Sequence, residues 1–252
     1  MAAHFSLPLL GAIIATFFAA GIVKGVTGMG LPTVAMGVLG SLLPPVAAAA
    51  LLLVPSFVTN FWQLFAGPQF GAIARRLWPM MIAVLIGTLV GSRSLTGGNA
   101  GLATASLGIA LVIYAAYTLL AKPLQISRPA ETWLSPLIGL LTGLMTGATG
   151  LFVIPAVPYI QSLDFERDDL VQALGLSFTV STIALGIGLL WHGAAPAGDL
   201  LTSTLAVIPA LIGMATGQVV RTRISPHLFR RLFLVFLLLL GSEMSLRGLF
   251  GH

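Results

Sequence analysis

Lys24 is the one lysine or arginine of this 252-residue chain that lies deep inside a hydrophobic run. An ammonium group there offers three N–H donors and a point charge, a combination suited to holding an anion. Around it runs GIVKGVTGMGLP, residues 21–32, which carries four glycines and a proline. A membrane helix that breaks at such a place frees backbone N–H and C=O groups where there is no water, which is tolerated only beside a cavity or inside protein. The motif recurs: Gly21, Gly25, Thr27 and Gly28 are matched by Gly143, Gly147, Thr149 and Gly150, each displaced by 122 residues. Glycine at 25, 28, 147 and 150 permits close backbone approach, and the hydroxyls of Thr27 and Thr149 can donate to an oxyanion. The same displacement relates Thr59 to Ser181 and Asn60 to Thr182. The stretch QALGLSFTVST adds Gln172 and Ser177 as polar groups too numerous for a lipid-facing helix. The candidate site is therefore Lys24, Gly25, Thr27, Gly28, Asn60, Gly147, Thr149, Gly150, Gln172 and Ser177.

The elements that must position these residues follow from composition. The chain is 57% hydrophobic and 8% charged, with mean hydropathy +1.03, which describes an all-α polytopic membrane protein rather than a soluble domain. Apolar segments fall at residues 7–23, 30–43, 46–66, 77–91 and 102–120, then at 134–145, 151–163, 170–191, 201–220 and 232–246. Two sets of five result, a first repeat over 1–121 and a second over 133–252, joined by the proline-containing, charged linker 122–132. Gly87 and Gly91 in the fourth segment are echoed by Gly213 and Gly217 in the ninth, small-residue pairs that let helices approach closely. Segments 30–43 and 151–163 reach only ~20 Å, short of a ~30 Å hydrocarbon core. Each is expected to form a broken helical hairpin with the segment before it, followed by three membrane helices.

Charge decides how the hairpins run. If each hairpin returns to its starting side, Arg75, Arg76, Lys122, Arg128, Arg167, Arg221, Arg223, Arg230 and Arg231 share one face, against Arg93 and Arg247 on the other. If each crosses once, the two faces carry nearly equal numbers and the orientation signal vanishes. The hairpin arrangement makes the linker cytoplasmic, puts both termini outside and inverts the second repeat relative to the first. Inverted repeats are common in secondary transporters, whose substrates sit near the midplane where broken helices meet. The second helix of each hairpin, beginning at Met29 and at Leu151, aims unpaired amides and a positive dipole end inward.

Other features narrow the chemistry. There is no cysteine, which removes disulfides, thiolate catalysis and cysteine-held metals, and no metal site or cofactor is expected. The net charge of +5 belongs to basic loops and implies no nucleic-acid partner. The first apolar stretch lacks a basic lead and a small-residue cleavage pattern, so it is expected to remain as membrane structure. No Asp or Glu falls deep in the membrane interior, where a cation carrier would place one; Glu243 lies near the end of the last apolar segment. Bland roles stand beside each candidate. Glycines pack helices, Lys24 can snorkel to an interface, and hydroxyls bond between helices. The charged cluster Asp164, Glu166, Arg167, Asp168 and Asp169 is explained by a solvated loop in which Asp168 or Asp169 caps the next helix. His4 and His252 are terminal, His227 belongs to a basic loop, and His192 follows Trp191 at a membrane boundary. A passive anion channel is the nearer alternative, and an intramembrane hydrolase using Ser177 with His192 the more distant one, since no second glycine follows Ser177.

The strings GIVKGVTGMGLPTVAMGVL, GLLTGLMTGATGLFVIPAVPYIQSL and VQALGLSFTVST resemble the TauE/SafE family of sulfite exporters across nearly the whole chain. The resemblance implies a bacterial inner-membrane carrier of about eight membrane helices that moves sulfite, organosulfonates or related small anions, with the lipid bilayer and the anion as its partners. It leaves room for a second copy of the chain. One departure stands out: family members often have a tighter glycine cluster in the second motif, whereas here Gly150 is followed by Leu151 and Phe152. A more apolar second lip would suit a substrate with a hydrocarbon part.

Overall fold

The computed structural model describes residues 6–97, 99–120, 125–223 and 225–250. Lys122, His4 and His252 lie outside the described residues, as does the start of the expected linker. Among the described residues every regular element is an α-helix: α1 Leu7–Thr27, α2 Leu31–Leu42, α3 Pro45–Leu64, α4 Phe70–Gly97, α5 Ala100–Leu120, α6 Arg128–Thr149, α7 Ala156–Gln161, α8 Arg167–Trp191, α9 Ala197–Leu205, α10 Val207–Arg221 and α11 Pro226–Phe250. Seven spans among the described residues are long and apolar enough to cross a membrane, with Gly198–Arg221 running through both α9 and α10. Large apolar side chains such as Ile14, Ile86, Ile113, Ile187 and Leu239 are exposed on them, while Asn60, Thr142, Gln172 and Ser177 are buried. That inversion of the soluble pattern suits lipid outside and polar contacts inside.

Both glycine motifs stop a helix in the same way. α1 ends at Gly28 with φ 78°, its N–H bonding Lys24 C=O at 2.7 Å; α6 ends at Gly150 with φ 74°, its N–H bonding Thr146 C=O at 2.8 Å. Left-handed residues at helix ends are cheap only for glycine. The threonine before each glycine braces the turn: Thr27 Oγ1 donates to Val23 C=O at 2.8 Å and accepts from Met29 N–H, and Thr149 Oγ1 donates to Met145 C=O at 2.6 Å and accepts from Leu151 N–H.

The segments after the breaks differ from each other and from expectation. α2 begins at Leu31 rather than Met29, because Gly30 also takes a positive φ of 103°. α7 begins at Ala156 rather than Leu151 and has six residues against twelve in α2. Pro155 has no N–H to give and disfavours a helical residue before it, which keeps the chain non-helical until that point. The expected single segment 201–220 jogs at Ala206, between α9 and α10; Pro209 cannot donate to Leu205 C=O. α8 is entered through Glu166 without a side-chain cap bond, so neither Asp168 nor Asp169 caps it. They sit in its first turn, where negative charge meets the positive end of the helix dipole.

Four helix pairs make most of the interior: α1 with α10, α4 with α6, α3 with α8 and α5 with α11. The first two are backbone-to-backbone seams. A Cβ on Gly21 or Gly25 would strike the carbonyl oxygen of Ala210 or Met214, and one on Gly213 or Gly217 that of Phe18 or Ile22. In the other seam Gly143 and Gly147 press on Val84 and Thr88 carbonyls, and Gly87 and Gly91 on those of Leu140 and Leu144. α3 carries Pro55 in its interior, which leaves Leu51 C=O without its helical donor; Ser203 Oγ of α9 donates to that oxygen at 2.7 Å. The α3–α9 contact thus repairs a backbone defect that lipid would not tolerate.

Candidate functional site

Lys24 lies on the last turns of α1, 3% exposed, and its Nζ crosses to α3. There it donates to Asn60 Oδ1 and, at 3.2 Å, to Thr59 Oγ1. Asn60 Nδ2 in turn donates to Thr182 Oγ1 of α8 at 3.4 Å. Thr59 and Thr182 hand their own hydroxyl protons to carbonyls one turn back, Pro55 at 2.8 Å and Phe178 at 2.7 Å. The sequence expectation placed Lys24 and Asn60 at one site, and the fold joins them directly.

The ion pairs among the described residues are Arg76–Glu131 and Arg247–Glu243, so Lys24 has no carboxylate partner there. Stripping an ammonium group of water without a counter-charge costs several kcal/mol. Neutral oxygens from Thr59 and Asn60 offset part of that. An opposite unit charge ~4 Å away contributes about 4 kcal/mol more at an effective dielectric near 20.

Unpaired hydroxyls lie on the same pair of helices. Ser56 on α3 and Ser177 and Ser181 on α8 are fully buried, and their Oγ atoms have no hydrogen-bond partner among the described residues. Neighbouring Thr179 donates to Gly175 C=O at 2.7 Å, so the helix itself offers acceptors that these serines do not take. Leaving a buried hydroxyl unmet costs about 1–3 kcal/mol. Thr33, on the first turn of α2, and Thr88 on α4 are unpaired in the same sense.

The remaining sequence candidates occupy other places. Gly25 and Gly147 sit in the α1–α10 and α6–α4 seams, against Met214 and Thr88. The hydroxyl protons of Thr27 and Thr149 are engaged inside their own turns. Gln172 is fully committed: Nε2 donates to Leu64 and Gly67 C=O, both at 2.7 Å, and Oε1 accepts from Gln69 N–H at 3.1 Å, tying α8 to the α3–α4 connection. Gly28 has open space where a Cβ would point, whereas Gly150 is covered by the side chain of Met36 on α2. The second break is thereby packed on the helix that follows the first. Ser177 and His192 stand fifteen residues apart on one helix, ~22 Å along its axis, beyond proton-transfer reach.

One cluster was not singled out from the sequence. Arg76 of α4 forms a bidentate pair with Glu131 of α6, Nε to Oε1 at 2.7 Å and Nη2 to Oε2 at 2.8 Å, and Nη2 also reaches Leu163 C=O at 2.7 Å. Phe165 lies under the guanidinium, 4.3 Å from its ring centre. Ser135 and Tyr159 share a hydrogen bond of 2.6 Å beside it. The signal available was Glu131, an acid among basic neighbours at the start of α6.

Apolar helices exposed on the outside, with hydroxyls, amides and one ammonium gathered within, define a polytopic helical membrane protein with a polar centre. The chain belongs to the TauE/SafE sulfite exporter family, whose model, described as sulfite exporter TauE/SafE, matches residues 13–244. It is similar to a Cupriavidus necator protein described as a probable sulfite/organosulfonate exporter TauE, at 28% identity over 253 residues, spanning 98% of this chain and 97% of the relative. No solved structure matches the chain.

Proposed function

We propose that the protein is a secondary transporter of a small anion, sulfite or an organosulfonate, which binds at the polar centre beside Lys24 and is released alternately to either side. The observation that carries this is the buried Lys24 ammonium, held by neutral oxygens and without a carboxylate among the described residues. An anion supplies the missing charge, and the unpaired Ser56, Ser177 and Ser181 hydroxyls on the adjoining helices supply further donors. Family membership and the printed description of the relative support the substrate class.

Alternating access needs two halves that exchange equivalent positions, and we read residues 1–121 and 133–252 as inverted repeats. Reciprocal contacts support the reading. Gly175 presses on Leu64, and the positions displaced by 122 residues from this pair, Leu53 and Gly186, also meet. In the two glycine seams the contact of Gly21 with Ala210 is echoed by that of Gly143 with Val84, and Gly25 with Met214 by Gly147 with Thr88, the α1 and α6 members being displaced by 122 residues and the α10 and α4 members by 126. The distribution of basic residues supports an orientation with both termini outside, and the family supports a bacterial inner membrane. The rocking of one half against the other moves the site between faces.

The test is uptake of radiolabelled sulfite and of ethanesulfonate by proteoliposomes containing the full chain. Saturable, counterflow-competent uptake that disappears in Lys24→Met supports the proposal. Uptake absent from wild type, or unaltered in Lys24→Met, overturns it.

A further inference from the structure

A second basic feature lies away from Lys24. The C-terminal turn of α5, the short helix α7 and the first turns of α11 enclose a cleft of about 670 Å³. Its polar wall carries Arg230, Arg231 and Gln161, and its apolar wall Val157, Leu234 and Val235. A smaller pocket of about 220 Å³ shares His227, Arg230 and Leu234 with the cleft and reaches Thr27 and Met29 at the first helix break. Arg221 and the buried Tyr114 complete this inner pocket. Neither Arg221, Arg230 nor Arg231 has a carboxylate partner among the described residues. The two spaces thus meet at Arg230, and the inner one is lined by Thr27 and Met29, the neighbours of Gly28, which stands four residues along the chain from Lys24.

Resting on the carrier reading above, we infer that this cleft is a vestibule for organosulfonates: Arg230 and Arg231 receive the sulfonate group, and the Val157–Leu234–Val235 wall receives the hydrocarbon part. A guanidinium fork matches the oxygens of a sulfonate as it does those of a carboxylate or phosphate. The volume is that of a small-molecule site, several times what sulfite needs, and the apolar wall has no use for an inorganic ion. Two arginines at the mouth raise the local anion concentration, and the shared Arg230 passes the anion toward Thr27 and the turn below Lys24. The vestibule selects for substrates with a carbon chain, and Lys24 holds the charge that all of them share.

The experiment uses the full-length chain in phosphatidylcholine nanodiscs, in a Lys24→Met background so that the cleft alone is read, with ethanesulfonate as the titrant in calorimetry. R230Q/R231Q is expected to weaken ethanesulfonate binding about tenfold or more, and Leu234→Asn to weaken ethanesulfonate while leaving the weaker sulfite binding unchanged. Unchanged ethanesulfonate affinity in R230Q/R231Q overturns the inference. So does loss of ethanesulfonate binding when phosphatidylglycerol replaces a fraction of the neutral lipid, because the cleft would then be a headgroup site. Failure of the carrier reading is distinct: wild-type proteoliposomes that move neither anion reject it whatever the cleft affinities prove to be.

Discussion

Asn60 and Thr182 touch, Nδ2 to Oγ1 at 3.4 Å, although 122 residues separate them, the same interval that separates the two copies of the glycine motif. Lys24 bonds to the same asparagine. The three residues connect α1, α3 and α8 through one polar line at the centre of the protein.

That line makes Asn60→Asp an informative substitution. A carboxylate in place of the amide gives Lys24 an internal counter-charge and removes its need for an external one. Sulfite affinity is expected to fall at least about tenfold, a loss of roughly 1.4 kcal/mol, while the thermal unfolding midpoint in detergent holds or rises. Asn60→Asp with undiminished affinity, measured by calorimetry, rejects Lys24 as the anion's partner.

Lys24 itself is expected to separate charge from geometry. Lys24→Met keeps an unbranched side chain, one atom shorter, and removes the charge, so transport is lost while size-exclusion profile and helicity are retained. Lys24→Arg keeps the charge but replaces a compact ammonium by a planar fork. Measurable uptake with a raised half-saturation concentration is the outcome expected from proteoliposome kinetics.

The glycine seams predict where small changes are costly. Gly213→Ala and Gly147→Ala drive a methyl group into a facing carbonyl, and overpacking of this kind costs about 1–3 kcal/mol. Gly71→Ala, whose added methyl meets nothing within 4 Å, serves as the control. Unfolding midpoints in detergent should fall for the first two alone.

Arg76 and Glu131 predict a stability effect with a rescue. Their side chains are only 17% and 9% exposed, and breaking a buried pair costs about 3–5 kcal/mol. Glu131→Gln is expected to lower the unfolding midpoint sharply, Arg76→Gln likewise, and the double variant by less than the two combined. Additive losses in this double-mutant cycle would mean that the pair acts as two independent groups.

The membrane class, the two helix stops and the meeting of Lys24 with Asn60 were legible because each rests on local chemistry: an apolar run, a glycine that tolerates positive φ, a charge that needs a partner. The lengths of α2 and α7 were less so. Equal glycine motifs suggested equal hairpins, but Pro155 delays α7 and shortens it to six residues. Gln172 was singled out for the right reason, too polar for lipid, yet its partners are the carbonyls of Leu64 and Gly67, which only the folded chain brings near. The Arg76–Glu131 pair was illegible because its members sit 55 residues apart with no periodic signal to join them.

The partnership of α1 with α10, and of α4 with α6, bears on how the protein is made. The grooved face of α1, carrying Gly21 and Gly25, finds its mate near the end of translation. Until then it is covered by lipid or by the insertion machinery, so α1 waits in the bilayer while most of the chain is synthesised. A chain that ends before residue 207 leaves the Gly21 and Gly25 face of α1 without the helix it packs on.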